Sequence, residues 1–214
     1  MSDPIKIDDL EKECNAMCAY AENNLKRAFS YYENEINPAD FVPIDDDTVD
    51  NYERTLEGEC LDCLVREHLY AGSMREVAGI LKAIEDIERI GDHAEDVAEW
   101  TSKIKNAKGW PIVKIQTMCR IALEMVDTSF LAFARHDQGL AEQVEHEDDL
   151  QDQLYDECIE SLIMLDKEKG ANHAAILYSG ILAKYLERIS DHAVNVAEWV
   201  IFVIKGYHKD KQIF

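Results

Sequence analysis

Residues Glu88-Arg-Ile-Gly-Asp92-His-Ala-Glu-Asp96-Val-Ala-Glu99-Trp100 return 99 positions later as Glu187-Arg-Ile-Ser-Asp191-His-Ala-Val-Asn195-Val-Ala-Glu198-Trp199, with ten of thirteen positions identical. Two unrelated helices do not share such a stretch, so the chain is built as two related halves, and whatever one half folds into constrains the other. Near the middle, Lys108-Gly109-Trp110-Pro111 supplies the glycine and proline punctuation, with Pro111 placed to begin the next helix. The expected division is residues 1–108 and residues 109–214.

Within the first half the apolar residues recur at three and four. Leu10, Cys14, Met17, Cys18, Ala21, Leu25, Ala28, Phe29 and Tyr32 predict one long amphipathic helix over residues 4–37. Asn37-Pro38 and Pro43 break it, and Asp45-Asp46-Asp47-Thr48 supplies acidic first-turn and N-cap residues for a second helix running to Tyr70. Ala71-Gly72 reads as an interruption. Ser73-Met-Arg-Glu76 has the spacing of a capping box, opening a third helix that carries the first motif to Asn106. The second half repeats the plan over residues 111–135 and 138–166, then from a turn at residues 169–172 to Lys205. No stretch alternates with period two long enough to predict a strand. The expected fold class is all-α, with six long helices in two tandem three-helix bundles.

The charge narrows the function. With 44 acidic against 22 basic residues the net charge is −22, so a nucleic-acid backbone would be repelled, and cations or basic protein surfaces are the natural partners. Adaptation to high salt is the alternative reading of that charge. The N-terminus lacks the basic-then-apolar order of a secretory signal, and no apolar run approaches the roughly 20 residues of a spanning helix, so a cytoplasmic protein is expected.

On a helix with 100° per residue, Glu88, Asp92, Asp96 and Glu99 fall within an arc of about 80°. Ile87, Ile90, Ala94, Val97 and Ala98 occupy another arc, roughly opposite. Like charges at i,i+4 cost roughly 0.2–0.5 kcal/mol each, and no lysine lies within the stripe to relieve them. Glu187, Asp191 and Glu198 keep the same face in the second copy, with Asn195 for Asp96. Superposing the halves sets Glu53 and Glu57 opposite Asp152 and Asp156, and Asp148 stands one turn before Asp152. Two neighbouring helices in each half therefore carry paired acids, which is how a helical bundle builds a multinuclear carboxylate metal site. Oxygen ligands favour magnesium, calcium, manganese or iron, and zinc also accepts them. A plain acidic surface is the bland alternative.

The remaining polar residues carry less. His93 and His192 lie about 60° beyond the acidic arc, so hydrogen bonding or packing is their expected role, and ligation the alternative. Arg89 and Arg188 flank the stripe and are expected to pair with its acids. Trp100 and Trp199 read as core or interface aromatics. Cys14 and Cys18, like Cys60 and Cys63, sit one turn apart; such residues usually pack as small buried hydrophobes, a four-thiolate zinc site being the alternative. No Gly-rich phosphate loop and no Glu-x-x-His is present, and Ser190-Asp191-His192 cannot act as a triad because adjacent residues on one helix diverge.

Taken together, Glu-Arg-Ile-Gly-Asp and Glu-Arg-Ile-Ser-Asp in two three-helix repeats resemble the PhoU family, over nearly the whole chain. The likeness is clearest over residues 131–206, where Phe133-Ala-Arg135-His-Asp137, Glu147-Asp148, Asp152-Gln-Leu-Tyr155 and the second motif follow the family order. The resemblance implies multinuclear iron or zinc clusters, with manganese or magnesium as substitutes, held through Glu/Asp-x-x-x-Asp motifs. The matching residues are Glu88 and Asp92, Glu187 and Asp191, and Asp148 and Asp152. Glu53 and Glu57 match with glutamate for the family's aspartate, so the first cluster is open to a different nuclearity or affinity. Glu99 and Glu198 match the acid that closes the motif. It further implies a regulator without an enzymatic reaction, acting in phosphate homeostasis from the cytoplasmic side of a high-affinity phosphate ABC transporter. A phosphate-sensing histidine kinase is a further implied partner, contact with the membrane runs through protein partners, and a homodimer is expected. A metal store or buffer, a metallohydrolase and a relative serving another transporter are the readings that compete with it.

Overall fold

The first helix shows how the sequence sets the fold. Leu10, Cys14, Met17, Ala21, Leu25 and Ala28 are fully buried along one stripe of α1, Ile7–Tyr32. The helix ends where Asn34 takes a left-handed conformation at φ 63°. The structure is a computed structural model that describes residues 6–36, 38–109, 112–208 and 211–212. The expected helix limits at Pro4 and Asn37, and the Trp110-Pro111 helix start, lie outside the described residues.

Five further helices follow: α2 (Asp47–Arg66), α3 (Ala71–Asn106), α4 (Val113–Arg135), α5 (Gln138–Asp166) and α6 (His173–Lys205). The all-α architecture is as expected, apart from two-residue strands β1 (Tyr207–His208) and β2 (Lys211–Gln212), which pair antiparallel and are too short to leave a periodic signal. Asp137 caps α5 by accepting from the Gly139 and Leu140 amides, and Asn172 caps α6 by accepting from the Ala175 amide. Gly206, at φ 76°, ends α6.

Two expected boundaries differ. The second helix stops at Arg66, where Glu67 turns extended. The third begins at Ala71, ahead of the Ser73 capping box, and no side chain caps it. Its first turns are held instead against the end of α6, where Arg75 Nε donates to the Val203 carbonyl at 3.3 Å and Gly79 lies against Val203.

The two motif helices, α3 and α6, form the most extensive helix pair in the molecule. They run antiparallel: Trp100 stacks near Tyr178, His93 near Tyr185 and His192, and Asp86 reaches Trp199. His93 and His192 are equivalent residues of the repeat, and their rings lie 5.6 Å apart. The pseudo-twofold axis relating the halves therefore passes between them. Helices α2, α3, α6 and α5 lie side by side in that order, with α1 packed against α2 and α3, α4 against α5 and α6, and α1 against α4. A single apolar core runs through both repeats, with Ile87 and Ile90 of one and Leu186 and Ile189 of the other among its fully buried members. Each such side chain contributes about 1.5–3 kcal/mol by leaving water.

Close approach of the central pair depends on Gly79. A Cβ there would stand 2.3 Å from Val203 Cγ2 and 3.8 Å from the Trp199 carbonyl oxygen. Gly79→Leu should lose about 1–3 kcal/mol in chemical denaturation through overpacking. Gly79→Ala should lose much less, because better helix propensity returns up to about 1 kcal/mol and Val203, only partly buried, can turn away. Equal stability of Gly79→Leu and wild type would show that the helices do not meet there.

All six cysteines are free and buried. Burial pushes the Cys60 thiol up to about 12 and Cys158 up to about 11, and Cys14 is raised further by its hydrogen bond to Cys18. Among the described residues no three cysteines converge closely enough to hold a metal ion. The thiols pack as core side chains.

Candidate metal centre

The first turn of α2 delivers acids to the acidic stripe of α3. Asp46 sits at the N-cap of α2, yet its side chain makes no capping bond. It is drawn instead to Asp92 of α3, with which it shares a hydrogen bond. Asp50, one turn along α2, joins them, and the three carboxylates place oxygens within 4.8 Å of one another. The cluster is partly buried, and crowded acids in such a place disfavour the charged form of Asp92. Burial, the Asp46 hydrogen bond and the neighbouring charge of Glu88 push Asp92 up to about 7.

Glu88 borders the same cluster. Its side chain is 14% exposed, and among the described residues its buried Oε2 accepts no hydrogen bond, with Arg89 Nε 3.3 Å away. Burial raises its carboxyl, Arg89 opposes the shift, and Asp50 adds to it. Arg89 also donates to Asp92 at 3.0 Å, so the expected pairing of Arg89 with the stripe is present. Glu53, partly buried, is raised first by burial and then by Glu88 and Glu57. Glu57, one turn further from Asp50, is exposed. Glu99 stands seven residues, about 10 Å, beyond Asp92 and forms an ion pair with Lys103 at 2.7 Å.

The second half places its acids less tightly. Burial, then Asp152 and Asp191, push Asp148 up to about 6. Asp152 is raised by burial and then by Glu187, and Asp191 by burial and Glu187 against the pull of Lys184. Four acids of α5 and α6 thus face one another, but among the described residues no three of them come within 4.8 Å. Lys184 forms an ion pair with Glu187, whose buried Oε2 has no other partner among the described residues. Arg188, expected in that role, lies over the Tyr185 ring with its guanidinium carbon 6.0 Å from the centroid. Glu198, on the far side of Asp191 along α6, is partly buried.

The donor set fits a cation. Carboxylates alone are oxygen ligands for hard or borderline ions. A buried Glu88 oxygen without a hydrogen bond among the described residues, and acids whose proton affinity is raised first by burial, are the state that a di- or trivalent ion resolves. Asp46, Asp50, Glu53, Glu88 and Asp92 would hold it in the first half, and Asp148, Asp152, Glu187 and Asp191 in the second.

The histidines serve elsewhere. His93 Nδ1 lies 3.1 Å from Asp96, and burial lowers its proton affinity. His192 Nδ1 faces Asp86 Oδ1 at 2.9 Å, Asn195 Nδ2 donates to the same oxygen at 2.9 Å, and Trp199 Nε1 donates to Asp86 Oδ2 at 3.2 Å. The expected hydrogen-bonding role holds for both histidines. Reading the chain alone missed Asp86, whose partners lie more than a hundred residues away, and also missed Asp46 and Asp50 as site residues. The i,i+4 spacing of Asp46 and Asp50 was a usable signal, but acids at a helix start are ordinary there.

The PhoU domain matches residues 14–101 and again residues 115–200, one copy in each half. The chain belongs to the PhoU family. A PhoU homolog from Aquifex aeolicus, named a phosphate-specific transport system accessory protein, is 34% identical over 75% of this chain and 73% of its own. One of the same name from Synechocystis is 28% identical over 92% of this chain and 88% of its own. The crystal structure of PhoU from Pseudomonas aeruginosa superposes with a TM-score of 0.84 at 28% identity, covering 94% of this chain and 97% of that one. PhoU from Streptococcus pneumoniae shares the fold at a TM-score of 0.80 and 22% identity. The six helices in two repeats are thus the PhoU fold.

The raised acids give the metal-free protein a definite pH response. Asp92 and Asp148 bind protons more tightly folded than unfolded, so their contribution to stability is full below about pH 4 and is lost as pH rises through about 6 and 7. Screening at these partly exposed positions reduces the effect to about 1–2 kcal/mol. Urea denaturation with chelator at pH 4.5 and pH 8 should show wild type losing more stability on alkalinisation than Asp92→Asn. An equal loss in both would contradict the cluster.

Proposed function

We propose that this protein is a metal-binding regulator of phosphate homeostasis, restraining a high-affinity phosphate ABC transporter or its phosphate-sensing signalling from the cytoplasmic side. The accessory role in phosphate transport rests on the relatives, which are named phosphate-specific transport system accessory proteins. The observation that carries the metal-binding part is the convergence of Asp46, Asp50 and Asp92 beside the hydrogen-bond-free oxygen of Glu88. Iron or zinc is the proposed ion, with manganese or magnesium able to substitute, in more than one copy per half. Ions on this acidic face turn a repulsive patch into a neutral or positive one, to which a partner's acid or phosphate itself can complete the coordination.

The proposed role is regulatory, in keeping with relatives named as accessory proteins. Transporter subunits are the proposed partners, a sensor histidine kinase a further one, and the protein acts as a homodimer. Among the described residues no helix is long and apolar enough to cross a membrane, which agrees with a protein recruited by its partners.

Phosphate uptake in cells lacking the gene tests this. Wild type should restore restraint when phosphate is plentiful, while the double variant Asp92→Asn, Asp191→Asn, folded and equally abundant, should leave uptake unrestrained. Full restoration by the double variant would refute a metal-dependent role.

A further inference from the structure

The α5/α6 pair carries an apolar concavity that the metal centre does not use. Ile159 and Ile163 of α5 and Ile176, Leu177 and Ile181 of α6 line an open groove of about 620 Å³. Gly180 forms part of its floor: a Cβ there would meet Leu162 and Ile159 at only 3.7 and 3.9 Å, so the missing side chain leaves space. Leu177 is 63% exposed and Ile163 52%. Aliphatic side chains collected in one concave strip mark a surface that another molecule covers.

The polar groups lie on the rim. Lys167 closes one end of α5, and Lys184 and Arg188 stand on successive turns of α6. Asp166 is held by His173 at 2.5 Å. In a chain with twice as many acidic as basic residues, this rim carries more basic than acidic groups. Its floor offers aliphatic surface and no buried polar group, so nothing there orients a small molecule. From His173 to Arg188, α6 borders the groove for about 22 Å, or four helical turns.

We propose that this groove docks an acidic amphipathic helix of a partner protein. Aliphatic residues at i, i+3, i+4 and i+7 of that helix fill the space over Gly180, and its aspartates and glutamates meet Lys167 and Arg188. A second copy of this chain is the competing occupant, and the sedimentation arm of the test separates it from a partner helix.

The test uses labelled helical peptides about four turns long, one with leucines in that pattern and glutamates elsewhere, the other with lysines replacing the glutamates. Fluorescence anisotropy with chelator present keeps the outcome separate from metal binding. The acidic peptide should bind saturably and at least about tenfold more tightly than the basic one. Leu177→Glu and Gly180→Leu, both at positions whose change leaves the core intact, should weaken it about tenfold or more while circular dichroism stays unchanged. The double variant Lys167→Glu, Arg188→Glu should reverse the preference between peptides. Amide exchange should slow in residues 159–188 on binding. Absence of saturable binding, equal binding of both peptides, or indifference to Leu177→Glu would overturn the proposal. So would sedimentation showing a wild-type dimer that Leu177→Glu dissociates, since a second copy would then fill the groove.

Discussion

Metal-free Asp92→Asn protein is expected to be more stable than wild type at pH 8, and the metal-loaded variant less stable. In wild type without metal, Asp92 loses its proton as pH rises through about 7 while Asp46, Asp50 and Glu88 surround it. An amide keeps the hydrogen bond to Asp46 and removes one charge, which should gain about 1–2 kcal/mol at pH 8. A bound ion stabilises wild type by the logarithm of its concentration over the dissociation constant, about 4 kcal/mol at a thousandfold excess. Losing a central carboxylate removes most of that gain. Thermal unfolding with chelator, and again with iron, zinc or manganese, should therefore show the order of the two proteins reversing. A variant that loses stability in both conditions would mean that Asp92 acts as a structural hydrogen-bonding group. Asp191→Asn should behave alike with a smaller metal-free gain, because Asp191 is exposed and Lys184 already offsets its neighbour Glu187.

Asp86→Ala is the second large effect. Its carboxylate, 14% exposed, receives His192, Asn195 and Trp199 from α6 and is the main polar joint between the halves. Hydrogen bonds to a charged group are worth about 1.5–3 kcal/mol. The three contacts share one carboxylate and do not add, so a loss of about 3 kcal/mol is expected by chemical denaturation. Asp86→Asn, which keeps an acceptor, should lose about half as much. A loss under about 0.5 kcal/mol, the level of an ordinary surface change, would show that the apolar core alone joins the repeats.

These two aspartates show what the chain discloses and what it withholds. Helix number, order and burial follow from spacing: the stripe from Leu10 to Ala28 on α1, and Ile87, Ile90, Ala94 and Val97 on α3, are buried as their periodicity requires. Local reading fails where tertiary packing decides. Ser73 has the spacing of a cap, yet α3 starts earlier, with Arg75 held against α6. Asp46 has the identity and position of a cap, yet its side chain turns to Asp92. The repeat identified Asp92 and Asp191 as equivalent, but not that their surroundings differ, since Asp46 and Asp50 crowd one while Lys184 relieves the other. Asp86 has no acidic counterpart in the repeat, Tyr185 standing at the equivalent position, so symmetry carried no sign of it.

Metal content measures the central claim most directly. Protein purified without chelator, equilibrated with iron, zinc or manganese and separated from free ions by gel filtration, should retain more than one ion in each half by elemental analysis. Asp92→Asn and Asp191→Asn should each remove the share of their own half. Wild-type protein that retains no metal after exposure to all three would contradict the account.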